Sequence, residues 1–242
     1  GCTVNYCGYL EFWEEPFCQS SYSKSRRLMK IGEDITLFGL EIGLMSMRKG
    51  ELARFFFSPD YAYGQQGCPP DIPPNTRVMF EVELLDFLDS AESDAFFELP
   101  AELQDSFPLQ KALKVAETER GFGNYLYCKG SLEDAKDRYK RALFILGRSP
   151  SSETEQCQID ASKLLVLLNL SITYLKLERP ARALAYGEKA LKIDQRNAKA
   201  LFRCGQACLC MKEYEKARDF LVRAQQIQPF NHDINNELKK LA

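Results

Sequence analysis

Residues 164–197 read LLVLLNLSITYLKLERPARALAYGEKALKIDQRN, and residues 198–231 read AKALFRCGQACLCMKEYEKARDFLVRAQQIQPFN. Both stretches are 34 residues long, and small residues recur in them at the same offsets: Ser171, Ala183 and Ala190 in the first, Gly205, Ala217 and Ala224 in the second. Working back along the chain, Gly123, Ala135 and Ala142 repeat the same spacing, set 48 residues earlier, which is one period plus a 14-residue insertion around Gly147 to Gln158. Small residues placed this way let paired helices cross closely, and a 34-residue period repeated three times predicts a helical solenoid with repeats at about 116–149, 164–197 and 198–231. Asn231 to Ala242 reads as the start of a capping helix following Pro229-Phe230.

Composition narrows the remainder. The chain has 242 residues, of which 45% are hydrophobic and 27% charged, enough for two modest domains. The best apolar run, Leu164 to Leu168, is cut by Asn169, far short of the roughly 18 residues that cross a membrane. The chain starts at Gly1 with no charged-then-apolar leader, which reads as a trimmed start without a signal peptide. The nine cysteines are an odd number and several fall in apolar helical patterns, so they are expected to be reduced and intracellular. Cys204, Cys208 and Cys210 lack a CxxC partner, and the single histidine, His232, lies in a polar stretch; neither metal binding nor imidazole catalysis is expected, and no cofactor.

Residues 1–90 carry a net charge of −5 and residues 91–242 a net +3. Neither half is basic enough, nor its cations interleaved with aromatics, to track nucleic acid. Thr3–Leu10, Glu51–Phe57 and the alternating run Val78, Phe80, Val82, Leu84 read as strands, with Phe80 on the buried face. Gly39–Met47 is a short helix, and Ser58–Asn75, with five prolines and two glycines, a long loop. An α+β unit follows: an antiparallel half-barrel around one short helix at 1–90, an acidic irregular linker at 91–108, then the all-α solenoid at 109–242.

The string Ser58-Pro-Asp-Tyr-Ala-Tyr-Gly64, with Ile72-Pro-Pro-Asn75 and Phe80-Glu-Val-Glu-Leu-Leu85, resembles the FKBP-type prolyl isomerases over most of residues 3–88. The first strand of that fold is expected upstream of Gly1. The 34-residue unit resembles the tetratricopeptide repeat. Over the whole chain, including Gly32-Glu-Asp-Ile-Thr36, Asn197-Ala-Lys-Ala-Leu-Phe-Arg203 and Pro229–Leu241, the sequence is similar to the germline branch of FKBP-type proteins with such repeats. That branch is regarded as inactive in isomerisation. The resemblance implies service in small-RNA (piRNA) transposon silencing, meiosis and spermatogenesis, in the cytoplasm with the nucleus as a second compartment, with client proteins from the silencing machinery.

Isomerisation in this family needs no acid or base, because the barrier of roughly 18 to 20 kcal/mol is amide resonance, which an apolar aromatic cup lowers by favouring the twisted amide. The resemblance implies that Tyr6, Phe17, Leu37, Tyr63, Ile72 and Phe80 keep the family's pocket types. Four positions depart: Cys18 stands for the buried aspartate, Leu40 for the tryptophan of the pocket floor, Arg27 lies near a wall phenylalanine, and Thr36 replaces an apolar residue. Losing the indole removes a flat surface for the proline ring, and losing the carboxylate removes the acceptor that orders a tyrosine. A preserved fold without isomerase activity is expected; an active isomerase delivered to chaperone clients is the alternative. Cys18 has no base nearby in sequence to make it a nucleophile.

Within the repeats, Arg120 and Asn124 occupy positions 5 and 9 of the first, Asn169 position 6 of the second, and Lys199 and Arg203 positions 2 and 6 of the third. These positions share one stripe of a helix, so stacking the repeats lines one groove with two amides and three cations. Such a groove is a receptor for carboxylates, each charge-assisted hydrogen bond contributing about 1.5 to 3 kcal/mol. The pattern resembles the carboxylate clamp of tetratricopeptide co-chaperones, except that Arg120 replaces the clamp's first lysine. That resemblance implies, as partner, the acidic C-terminal tail of heat-shock protein 90, with heat-shock protein 70 as a second source. Phe122, Tyr125, Tyr139, Tyr186 and Phe220 are expected to pack between helices.

Overall fold

The computed structural model describes residues 1–20 and 28–241 and divides into two compact units, Gly1–Asp89 and Ser90–Ala242. Arg27, expected near the pocket wall, lies outside the described residues.

The first unit is a four-stranded antiparallel sheet in the order β2-β1-β4-β3, with β1 at Cys2–Leu10, β2 at Cys18–Gln19, β3 at Leu52–Phe57 and β4 at Val78–Phe87. Alternation decides its two faces. Val78, Phe80, Val82 and Leu84 point inward from β4, joined by Val4 and Leu10 from β1. Helix α1 (Phe38–Ser46) covers this inner face with Leu40 and Leu44. It approaches β3 on a ridge of glycines: a Cβ at Gly39 would lie 2.6 Å from the Phe57 ring, and one at Gly43 3.0 Å from Phe55. The two-residue strand β2 carries too little pattern to be read from sequence.

In the second unit, helical hairpins α4/α5 (Leu109–Lys129, Leu132–Ile145), α6/α7 (Glu153–Lys176, Pro180–Ile193) and α8/α9 (Ala198–Cys210, Tyr214–Ile227) form the three repeats. The small residues sit where the periodicity put them. Ala135, Ala142, Ala183, Ala190, Ala217 and Ala224 are fully buried, and Ser171 donates to the Ala183 carbonyl at 2.9 Å, twelve residues on. A Cβ on Gly123 would come 2.5 Å from Tyr139, and one on Gly205 2.8 Å from Leu221, so the helices could not pack as closely with larger residues. The insertion after the first repeat partly lengthens α6, whose first turn is capped by Ser152 Oγ accepting from the Glu155 N–H at 3.2 Å. Helix α10 (His232–Lys240), capped by Asn231, seats Ile234 against Leu201 and Ala224.

The stretch 91–108, expected as an irregular linker, instead holds α2 (Ala91–Glu98) and α3 (Ala101–Asp105), both within the helical unit. Phe96 is buried in the core of the first repeat, with Phe97 and Phe107 rings edge-on at 5.3 and 5.1 Å. Ser93 donates its hydroxyl to Glu119 of α4, a carboxylate with 0% exposure that Arg138 and Arg141 of α5 also reach, each at 3.2 Å. Arg148 extends the attachment by donating to the carbonyls of Phe107 (2.6 Å) and Gln104 (3.0 Å). The acidic composition concealed an apolar face.

Candidate functional site

The inner face of the first unit encloses a cavity of about 240 Å³. Tyr6, Cys18, Thr36, Leu37, Leu40, Tyr63 and Phe80 line it. Phe17 and Ile72 stand behind this lining: Phe17 sets its ring edge-on against Phe80 at 5.7 Å and Tyr63 at 6.0 Å, and Ile72 is buried in the surrounding core. The base of the cup is Leu40, 7% exposed, where a branched aliphatic group gives far less flat surface than an indole. Gly8 leaves room here: a Cβ would lie 2.8 Å from each of Cys18 Sγ, Phe17 and Phe80, so a larger residue would force these side chains to shift.

Burial governs the cup's ionisable groups. It pushes the Tyr63 phenol up to about 12 and raises Tyr6 as well, so both rings stay neutral. Burial also raises the Cys18 thiol, outweighing its backbone hydrogen bond, which leaves it a poor nucleophile. Sequence reading missed Asp34 in the lining; its Oδ2 accepts the Lys30 N–H at 2.8 Å.

The second candidate lies on the helical unit. Asn124 of α4 and Asn169 of α6, 45 residues apart, are joined by an Asn169 Nδ2 to Asn124 Oδ1 bond of 2.8 Å. The Tyr139 hydroxyl donates to the same oxygen at 2.7 Å. With Oδ1 doubly engaged, Asn124 keeps its Nδ2 for donation. From α8, Arg203 donates to the Leu168 carbonyl beside Asn169, which brings the third repeat to the same place. Burial lowers the pKa of the Arg203 guanidinium, while the phenols of Tyr127 and Tyr139 act in the opposite direction.

Arg120 flanks this centre, pairing with Glu117 at 3.8 Å, and both Arg120 and Arg203 act electrostatically on the Tyr139 phenol. Burial still dominates there and holds the phenol un-ionised. Lys199 is exposed one turn before Arg203. Beside Arg120 a recess of about 330 Å³ opens between α4 and α6, lined in part by Leu113, Leu165 and Val166. Two contributors escaped sequence reading. Tyr139 is not only packing, since its hydroxyl fixes an amide. Lys176, seven residues beyond Asn169 on the same helical stripe, places its ammonium 4.7 Å over the Tyr127 ring.

Among the described residues no group of three His, Cys, Asp or Glu side chains is arranged to hold a metal. Among these residues, too, no helix is long and apolar enough to cross a membrane. The nine cysteines carry free thiols, with Cys204 and Cys208 buried among the repeats.

A half-barrel on one short helix, with a cup whose base is aliphatic, joined in one chain to a helical repeat stack with a cationic groove, defines the immunophilin class that carries tetratricopeptide repeats. Comparison with known proteins agrees. Residues 1–85 match the FKBP-type peptidyl-prolyl cis-trans isomerase family and residues 174–237 the tetratricopeptide repeat. The chain is 70% identical over 239 residues to the horse (Equus caballus) protein named inactive peptidyl-prolyl cis-trans isomerase FKBP6, a match covering 99% of this chain and 76% of that one. Among solved structures, it is similar to the C-terminal repeat domain of a putative FK506-binding protein from Plasmodium falciparum. The TM-score there is 0.54 at 25% identity, covering 57% of this chain and 93% of that chain. A multi-domain immunophilin from Arabidopsis thaliana matches with a TM-score of 0.50 at 25% identity, over 93% of this chain and 86% of that one. The chain belongs to the inactive FKBP-type peptidyl-prolyl cis-trans isomerases with tetratricopeptide repeats.

Proposed function

We propose that the groove of α4, α6 and α8 holds the acidic C-terminal tail of heat-shock protein 90, making the chain a co-chaperone scaffold, with the heat-shock protein 70 tail as a second ligand. The observation that carries this reading is the convergence of Asn124, Asn169 and Arg203 from three repeats, flanked by Arg120 and Lys199. Amide donors and cations together recognise a terminal carboxylate and an acidic side chain, whereas a solvated helix face needs no such convergence. The half-barrel serves as a surface for client or partner proteins and does not turn over proline bonds. By resemblance to the germline branch, the proposal extends to clients of small-RNA silencing in meiosis and spermatogenesis, in the cytoplasm and nucleus.

Calorimetric titration with a peptide ending in an acidic residue and a free carboxylate tests the groove. Lys199→Ala and Arg203→Ala should each cost about 1.5 to 3 kcal/mol, roughly tenfold to over a hundredfold in affinity. Amidating the peptide should weaken it similarly, and affinity should fall as salt rises. Equal binding of the amidated peptide and by both alanine variants sinks the reading.

A further inference from the structure

The outer face of the sheet, turned away from the cup, carries cross-strand polar pairs along part of its length, beside the exposed Leu52. Asn5 donates to Glu83 at 3.0 Å, and Arg54 pairs with Glu81 at 2.8 Å across the strands. The last row breaks that pattern. Tyr9 of β1, Met79 of β4 and Phe56 of β3 lie side by side in register, and Phe56 is 78% exposed. The turn leaving β1, closed by the Trp13 N–H donating to the Leu10 carbonyl at 3.1 Å, adds Phe12 and Trp13 to the row. Phe12 is 96% exposed and Trp13 64%.

Phe12 also has φ 68°, the left-handed region where a turn normally places Gly or Asn. An aromatic ring is therefore held in water by a backbone conformation that disfavours it. Two costs at one residue, neither serving the core, point to a ligand-facing role. Together these side chains line a recess of about 600 Å³, within the range of sites that hold several ligand side chains.

Charge identifies the occupant. Glu11 belongs to the lining and Glu14 and Glu15 follow Trp13 in the chain; all three are exposed and form no ion pair among the described residues, where Arg77 is the one cation of the lining. We propose that this recess docks an extended protein segment in which apolar or proline side chains alternate with Arg or Lys, the apolar groups entering between Trp13, Phe56 and Met79 and the cations meeting the three carboxylates. Extended, proline-bearing segments suit aromatic grooves because little conformational freedom remains to be lost on binding. The site is separate from the cup and from the repeat groove and rests on neither reading.

Trp13 is the chain's only tryptophan, so its emission reports the recess directly. The probes are acetylated and amidated twelve-residue peptides in which Arg alternates with Leu, Phe or Pro, and counterparts with Glu in place of Arg. A saturable blue shift is expected with the Arg series and none with the Glu series, weakening with salt. Phe56→Ser should reduce affinity at least tenfold, and so should the double variant Glu14→Lys with Glu15→Lys, which leaves the apolar row intact. Phe12→Gly should reduce it too with no loss of melting temperature, because glycine accepts the same φ without strain. No shift with any Arg peptide, or an equal shift with the Glu series, overturns the proposal. So does a blue shift that depends on the protein's own concentration, which would make the occupant a second copy, or one produced by extending the chain upstream of Gly1.

Discussion

Cup and groove differ in what their polar atoms do. In the cup, Tyr6, Tyr63 and Cys18 are all pushed toward their neutral forms by burial, and the side chain beneath them is aliphatic. In the groove, cations from two repeats act on one buried phenol, and the Asn124 amide oxygen accepts both from the Asn169 amide of the next repeat and from that phenol's hydroxyl. The first surface has the shape of its family and little to grip with, whereas the second owes its chemistry to charge held in place by packing. Fold and turnover have separated in the first unit, which is why family membership alone does not predict activity.

The largest expected effect strikes the packing of the first repeat. Glu119→Ala takes the shared partner from two arginines that are each about a third exposed and should destabilise the helical unit by about 1 to 3 kcal/mol, measured by denaturant unfolding followed by circular dichroism. An equal loss in the half-barrel, read from Trp13 emission, would contradict the division into two units.

On the cup's side, proline-peptide isomerisation should stay at background, below a tenth of the rate of an ordinary family member. Leu40→Trp combined with Cys18→Asp should raise it. Because Leu40 offers no flat surface for them to rest on, ligands that fill the family's pocket should show no submicromolar affinity by calorimetry.

A smaller effect separates packing from ligand positioning. Tyr139→Phe keeps the ring against Gly123 but frees Asn124 Oδ1, and should lower peptide affinity by about 0.5 to 1.5 kcal/mol. Unchanged affinity would mean that the hydroxyl does not set the amide.

The smallest effect tests what cup and groove share, a tyrosine held neutral by desolvation, half-buried in the cup and buried in the groove. Because the folded pKa of Tyr63 lies near 12, above the ordinary value of about 10, its contribution to stability is complete below pH 10 and is lost as pH rises toward 12. Phenolate absorbance should therefore lag behind that of exposed tyrosines, and Tyr63→Phe should flatten the loss of stability over that window.

Much of this was legible in the sequence because it rested on side-chain type at fixed spacing. Gly123, Ser171 and Gly205 revealed the helix crossings, and the stripe of Asn124, Asn169 and Arg203 named residues that do converge. What escaped depends on partners remote in sequence. Glu119 looks like any surface glutamate until Arg138, Arg141 and Ser93 surround it. Helices α2 and α3 were hidden because four acidic residues between 91 and 102 outweigh Phe96 and Phe97 in any reading by composition. The Tyr9–Met79–Phe56 row exists only through strand register, which pairs residues 70 and 23 positions apart.

The seating of Phe96 and Ser93 on the first repeat has a consequence for how the array can change. Nearest-neighbour stacks lengthen by copying a unit at an end, provided that end offers a face shaped like an internal junction. Here the leading face is occupied by α2, tied down by a carboxylate that three side chains share, so a duplicated repeat could join on that side only by prising the helix away. The groove's first rung is thereby fixed, and any change in the number of rungs must arise at the other end of the stack.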